Sequence, residues 1–313
     1  MGIEQKKIVS LFAGGGGSSY GYKAAGGKVV LAVEMDKTAA NNYRHNHLGT
    51  DVWEKSVTDV RGADIVNKYG IIDILDGSPP CQGFSQLNIK KGGSVAKNSL
   101  CFEMLRIADE LQTTVFVMEN VPEFAKAPEF RETVKEAKAK GYIVSAAIVN
   151  ASRYGALTAR KRVFIVGSRK GKFVFPEGNE NKLNASDEIA KLKEPMRHGR
   201  LSERKQKVLG KIPPSSTDSK VKTILKQFDK LSDYSNLRRI PLKGLSPTQV
   251  KNDSLIHPIE IRPLSIEEMA LIQGFPITFW AKNHRDAVER IGNSVCPAVT
   301  KTIYEALIFQ GLV

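Results

Sequence analysis

Ile8-Val-Ser-Leu-Phe-Ala-Gly-Gly-Gly-Gly17 is a short apolar run ending in glycines, and small residues able to open a helix follow it. Strand, tight glycine turn and helix, in that order, make the first unit of an α/β sheet, because glycine lets the chain turn sharply and lets a ligand approach the backbone. Val29-Val-Leu-Ala-Val33 reads as a second buried strand, and residues 71–75, 114–118, 143–149 and 163–166 continue the series. Residues 38–47 and 100–111 between them read as helices. Short apolar strands alternating with helices predict an α/β fold with a doubly wound, mostly parallel sheet.

From about residue 171 lysine, serine and proline dominate, and Pro213-Pro-Ser-Ser-Thr217 and Pro241-Leu-Lys-Gly244 break any long periodicity. The net charge of +14 points to a polyanionic partner such as nucleic acid. Much of the excess sits in residues 171–260. We therefore expect a first domain over 1–172 and 286–313 and a second, smaller, irregular and basic one over 173–285. No apolar run is long enough to span a membrane, and the amino terminus has no signal-peptide core, which predicts a cytoplasmic protein. Cys81, Cys101 and Cys296 are too scattered for a disulfide framework or a zinc site, so no metal is expected.

Glu34 ends the second strand about 20 residues after the glycine turn, where a carboxylate can accept hydrogen bonds from ribose hydroxyls. The turn is not G-x-G-x-x-G. A cofactor without pyrophosphate, such as S-adenosylmethionine, needs the turn and the carboxylate but no phosphate cradle. Asp59, in Ser56-Val-Thr-Asp-Val60, stands where a third strand should end, and taken alone it reads as a solvated loop residue.

Asp76-Gly-Ser-Pro-Pro-Cys-Gln-Gly-Phe-Ser85 follows the third long apolar run, placing Cys81 on a proline-stiffened loop at the carboxyl end of the sheet. In Val117-Met-Glu-Asn-Val-Pro122 another carboxylate, Glu119, sits just past a hydrophobic strand. Two strand-end loops of one parallel sheet can bring Cys81 and Glu119 into one cleft. A thiol becomes a strong nucleophile once ionised, and a substrate activated by an acid relaxes that demand.

F-A-G-G-G-G, E-M-D, S-P-P-C-Q-G-F-S and M-E-N-V, in this order, resemble the cytosine-5 DNA methyltransferases. The resemblance continues through Arg160-Lys-Arg162, Arg262-Pro-Leu-Ser-Ile-Glu-Glu268, Gln273-Gly-Phe-Pro276 and Gly292-Asn-Ser-Val295, and it covers residues 8–168 and 257–300. It implies a Rossmann-like methyltransferase fold with S-adenosylmethionine as donor and S-adenosylhomocysteine as product. Cys81 would add to C6 of cytosine, Glu119 would act at N3, and Arg162 would bind O2 with Arg160 in support. Phe12, Ala13, Gly14, Gly16, Gly17, Glu34, Met35, Asp59, Val60, Pro79 and Leu100 map to cofactor contacts, with Asn293, Ser294 and Val295 closing that pocket. The target base must leave the duplex stack to react.

The resemblance also makes the basic middle a target-recognition domain acting on double-stranded DNA. Gln82 and Ser85 on the cysteine loop, and Arg238, Arg239 and Thr248 in the middle region, are the DNA-contact candidates. Arg238 and Arg239 read equally as base readers, phosphate clamps or a solvated pair, and Thr248 as a DNA contact or an ordinary loop residue. A monomer is implied, either a solitary modification enzyme or one paired with a restriction endonuclease at the same site, without direct contact. Two departures stand out. Leu157-Thr158 replaces the family's usual Pro-Gln, and Lys97-Asn-Ser99 replaces its Asp-x-Arg. Three rival readings fit the residues less well. An RNA methyltransferase of the superfamily has Pro-Phe-Thr where this chain has Gly83-Phe-Ser85. A nicotinamide oxidoreductase leaves Cys81, Glu119 and the arginines unexplained, and a silent DNA-binding protein has no use for both Cys81 and Glu119.

Overall fold

Lys7–Leu11 (β1) is buried from Ile8 onward, as a strand covered on both faces requires of a near-continuous apolar run. The computed structural model describes residues 5–80, 99–180, 182–193, 197–199, 202–213, 238–251 and 255–313. Around β1 lie Lys28–Val33 (β2), Asp51–Trp53 (β3), Ile74–Gly77 (β4), Val115–Asn120 (β5), Ile143–Asn150 (β6) and Lys161–Ser168 (β7). They form one seven-stranded sheet in the order β3-β2-β1-β4-β5-β7-β6. The first five strands pair in parallel, and β7 runs antiparallel to both β5 and β6.

Helices connect the parallel strands: Gly17–Ala24 (α1), Lys37–Asn46 (α2), Gly62–Tyr69 (α3) and Ser99–Glu110 (α4). The core sits between sheet and helices, with Leu11, Leu31, Leu75, Phe116 and Met118 packed with Met104, Leu105 and Ala108 of α4. This is the doubly wound, mostly parallel sheet that the periodicity predicts, in the Rossmann-like form that the resemblance implies. The strand order reverses between β1 and β4, and such sheets bind ligands outside the carboxyl ends of the strands at that point.

Three elements differ from the sequence expectation. β4 begins at Ile74, because its partner β1 pairs Ile8 with Ile74, and upstream Ile71 is 81% exposed. The third strand stops at Trp53, and Asp59 lies on a separate 3-10 turn, Val57–Asp59. Glu119 lies inside β5 and not beyond it, because antiparallel β7 extends the pairing, with Phe164 opposite Glu119 and Val163 opposite Asn120.

The chain divides into two compact units, one of Met1–Asn150, Lys161–Glu177 and Val299–Val313, the other of Ala151–Arg160 and Gly178–Ala298. The second unit takes residues 151–160 and 286–298, which the sequence reading assigned to the first domain. Inside it, the R-P-L-S-x-x-E motif is a buried ion pair on a helix cap. Ser265 and Glu268 form a reciprocal capping box on Ile266–Gln273 (α8 in chain order, after Pro128–Ala139, α5, Ala185–Ala190, α6, and Glu203–Leu209, α7). Arg262 grips both oxygens of Glu268 at 2.8 Å. Glu268 is wholly buried, so two parallel charge-assisted bonds and the cap offset the cost of desolvating it. Gln273 donates to the Ile291 carbonyl (2.7 Å) and accepts from the Cys296 thiol (3.1 Å), joining the end of α8 to the end of His284–Asn293 (α9).

The first unit also buries an unexpected carboxyl group. Asp76, on β4, is 4% exposed and accepts hydrogen bonds from Ser10 Oγ (3.2 Å) and Tyr22 Oη (2.9 Å). Burial pushes its pKa up to about 7, against these bonds, with the Glu119 charge adding to the rise. A carboxyl raised in the fold stabilises it at low pH, and that contribution is lost as pH climbs from about 4 through about 7. Asp76→Asn keeps the shape and one bond as it stands, and the other reverses, with a hydroxyl accepting from the amide nitrogen, so the variant should gain on the order of 2–4 kcal/mol at pH 8, at about 1.4 kcal/mol per pKa unit, and nothing near pH 4. Thermal unfolding measured from pH 4 to 8 checks this: melting curves that shift in parallel for variant and parent would contradict it.

Candidate active site

The turn after β1 is strained. Phe12 takes a φ of 53°, a left-handed conformation unusual for a bulky side chain, and Gly14 and Gly16 follow at 51° and 77°. Ala13 N–H donates to the Val33 carbonyl (3.1 Å) and Gly16 N–H to the Ala13 carbonyl (2.9 Å), which hold the loop closed. Gly16 is demanded by space as well, since a Cβ there would lie 2.0 Å from His47 Nε2. His47 is 2% exposed between the rings of Tyr20 and Tyr43, at centroid distances of 4.2 and 4.3 Å. Burial and the Lys23 charge push its imidazole down to about 3, so it stays neutral behind the turn.

Glu34 joins this turn to β2. Its Oε2 accepts from Gly14 N–H and its Oε1 from Asp36 N–H, each at 2.8 Å, while its own N–H donates to the Trp53 carbonyl (3.1 Å). Met35 beside it is 72% exposed, and a Cβ added at Gly14 would meet nothing nearer than 3.9 Å. A carboxylate, an apolar side chain and open room over a glycine turn thus stand together, with buried Gly17 opening α1. Asp59 is exposed on its 3-10 turn, whereas Val60 is 1% exposed in the core and its carbonyl accepts from Arg106 of α4 (2.9 Å). Leu100, half-buried, opens α4.

The end of β5 carries the second cluster. Glu119 is 8% exposed, and its Oε1 lies 3.0 Å from Nε of Arg162 on β7. Asn120, the next residue, donates to the carbonyl of buried Pro79 (3.1 Å), and its Oδ1 accepts from Val121 N–H (2.8 Å). Asn120 therefore fixes the start of the proline loop two residues before Cys81. The sequence reading missed this role, whose only signal was an amide directly after the glutamate. Cys81, Gln82 and Ser85 lie outside the described residues.

The remaining candidates belong to the second unit. Arg160 is 2% exposed and donates to the Gln249 carbonyl (3.1 Å). Arg239 spends Nε on the His257 carbonyl (3.2 Å), Nη1 on that of Ile212 (3.0 Å) and Nη2 on that of Ile259. Arg238 donates to the carbonyl of half-buried Thr248 (2.9 Å). At the end of α9, Asn293 is exposed, while Ser294 and Val295 are buried and Ser294 Oγ donates to the Arg290 carbonyl (2.6 Å). Among the described residues no helix is long and apolar enough to cross a membrane.

The family model of C-5 cytosine-specific DNA methylases matches residues 6–308. Type II methyltransferase M.FnuDI of Fusobacterium nucleatum is 28% identical over 318 residues, covering 92% of this chain and 90% of its own. Type II methyltransferase M.AquIA of a Picosynechococcus strain is 35% identical over 201 residues, 59% of this chain and 81% of its own. The crystal structure of a protein encoded within an E. coli prophage superposes with a TM-score of 0.75 at 26% identity, over 97% of this chain and 99% of that one. A Spodoptera frugiperda DNMT2 mutant, at 17% identity and a TM-score of 0.74, shares the fold.

Proposed function

The chain belongs to the C-5 cytosine-specific DNA methylase family, and we propose from this that it methylates C5 of a flipped-out cytosine in duplex DNA, with S-adenosylmethionine as donor and Cys81 as nucleophile. The observation carrying this reading is the Glu119–Arg162 pair at the carboxyl end of β5, beside Asn120, whose amide holds the loop that enters Cys81.

The residues at the ends of β1 and β2 fit the donor: Glu34 for the ribose hydroxyls, Met35 and Phe12 for the base, and the open face of Gly14 for close approach of the ligand. When bound, S-adenosylmethionine supplies an electrophilic methyl group. The Cys81 thiolate forms a bond to C6 as Glu119 gives a proton to N3, so the ring electrons collect at C5 and no negative charge builds up. Arg162 holds Glu119 in place and offers its remaining donors to O2. After C5 has taken the methyl group, a base removes the C5 proton, the C6–S bond breaks to return the thiolate, and N3 gives its proton back to Glu119. The second unit, which carries Thr248, would meet the DNA and choose the sequence, through phosphate contacts for register and base-edge contacts for identity. Flipping costs a few kcal/mol, which contacts to the opened duplex must offset.

Incubating the full chain with duplex DNA and methyl-labelled S-adenosylmethionine should leave label as 5-methylcytosine in one sequence context. Label on an exocyclic nitrogen, or on RNA in preference to DNA, would overturn the reading. Glu34→Ala should weaken S-adenosylmethionine about ten- to a hundredfold, because hydrogen bonds to a charged group are worth about 1.5–3 kcal/mol. DNA binding should change little. Calorimetry that finds the same cofactor affinity would remove Glu34 from the pocket.

A further inference from the structure

The segment Ser246-Pro-Thr-Gln249 has an unusual set of hydrogen bonds. Three successive carbonyls each accept from a side chain outside the segment, two of them from donors 89 residues away. Thr158 Oγ1 donates to Pro247 O (3.3 Å), Arg238 Nη2 to Thr248 O (2.9 Å) and Arg160 Nη1 to Gln249 O (3.1 Å). Ser246 Oγ also donates to Pro247 O (2.9 Å). The main chain is gripped at the same place, since Ser246 N–H donates to the Leu157 carbonyl (2.8 Å) and Thr158 bridges Ser246 in parallel. The Leu157 N–H in turn donates to Ile272 at the end of α8 (3.0 Å). Just past the segment, the backbone of Val250 and Lys251 runs so close to α9 that a Cβ on Gly292 would meet Val250 C at 2.6 Å.

All these groups belong to the second unit. Thr158, Ser246 and Gln249 are each at most 1% exposed, whereas Thr248 between them is half-buried. An isolated loop leaves such carbonyls to water. Here three of them are satisfied by donors whose own side chains are thereby ordered, which lowers the conformational freedom the loop would otherwise lose on binding.

We propose that Thr158, Arg238 and Arg160 form a clamp on the main chain of Pro247–Gln249, positioning Thr248 for recognition of DNA. The departure at Thr158 then has a use: a short hydroxyl, wholly buried, suits a bond to a carbonyl running alongside it. Arg238 serves recognition through Thr248 and not through a phosphate or base of its own. This inference rests on the reading that the segment meets DNA.

The test uses the full chain, methyl-labelled S-adenosylmethionine and a pool of duplexes with randomised bases around a cytosine, with methylated products read by bisulfite sequencing. Thr248→Ala identifies the base pair whose choice depends on Thr248. Arg238→Gln and Thr158→Val should relax choice at that same base pair and raise KM for DNA about five- to tenfold, with S-adenosylmethionine affinity unchanged. Thr158→Ser should restore both. The Arg238→Gln, Thr248→Ala double variant should be no worse than Thr248→Ala alone, because a clamp acts only through what it holds. The salt dependence of binding should stay as in the parent. If Arg238→Gln instead lowers the slope of log K against log salt by about one and keeps base choice, Arg238 is a phosphate contact and the clamp is refuted. Multiplicative losses in the double variant also refute it. If Thr248→Ala itself changes neither affinity nor base choice, the DNA-facing reading of the segment fails first, and that result is distinct from the other two.

Discussion

Cys81→Ser is expected to reduce methyl transfer below about one per cent of the parent rate while DNA and S-adenosylmethionine still bind. The reason is nucleophile chemistry. An unperturbed thiol already has a few per cent thiolate at neutral pH and is intrinsically very nucleophilic, whereas a serine hydroxyl offers almost no alkoxide without a strong base beside it. Glu119 serves the ring nitrogen in this mechanism and is not free to deprotonate a serine. Single-turnover transfer on duplex DNA measures the loss. A companion experiment replaces the target with 5-fluorocytosine. Fluorine does not leave as a proton does, so the Cys81–C6 bond formed in the first step persists, and the parent should become covalently attached to DNA. The serine variant should not. More than a few per cent of residual turnover, or trapping without Cys81, would remove the covalent step.

Glu119→Gln is expected to cut kcat by about 10²–10⁴, the usual share of a positioned general acid, with a smaller effect on KM for DNA. The amide can still hydrogen-bond to N3 but has no acidic proton to give, so negative charge would build on the ring as sulfur adds. The Arg162 guanidinium would also lose the carboxylate that lies 3.0 Å from its Nε. Arg162→Lys should be less damaging to kcat than Glu119→Gln, yet far from neutral, because an ammonium holds the charge without the planar fork. If Glu119→Gln retains kcat within about fivefold, protonation at N3 is not part of the barrier.

Most of the sheet was legible in the chain. Buried parallel strands are near-continuous apolar runs, so residues around Val9, Leu31 and Phe116 announced themselves, and the glycine turn after the first of them marked the ligand edge. Strand ends were less legible, because pairing sets them: β4 starts where β1 provides a partner, and β5 is lengthened by the antiparallel register of β7. The buried Asp76 gave no warning either. A lone aspartate before Gly77 reads as loop, and only the packing of Ser10 and Tyr22 against it makes it a buried carboxyl.

By itself the sequence determined the alternation of strands and helices, the glycine turn with Glu34 behind it, and a set of reactive residue types in one order, since these depend on local periodicity and residue chemistry. The tertiary structure alone decided which groups meet. Arg238 and Arg239, two adjacent cations that read as equal candidates for DNA, are given to carbonyls as far apart in the chain as Ile212 and Ile259. Thr158 and Arg160 reach carbonyls 89 residues away. A backbone carbonyl looks the same at every position of a sequence, so a side chain that bonds one across such a distance leaves no pattern to read. Its partner is chosen only when packing brings the two segments side by side.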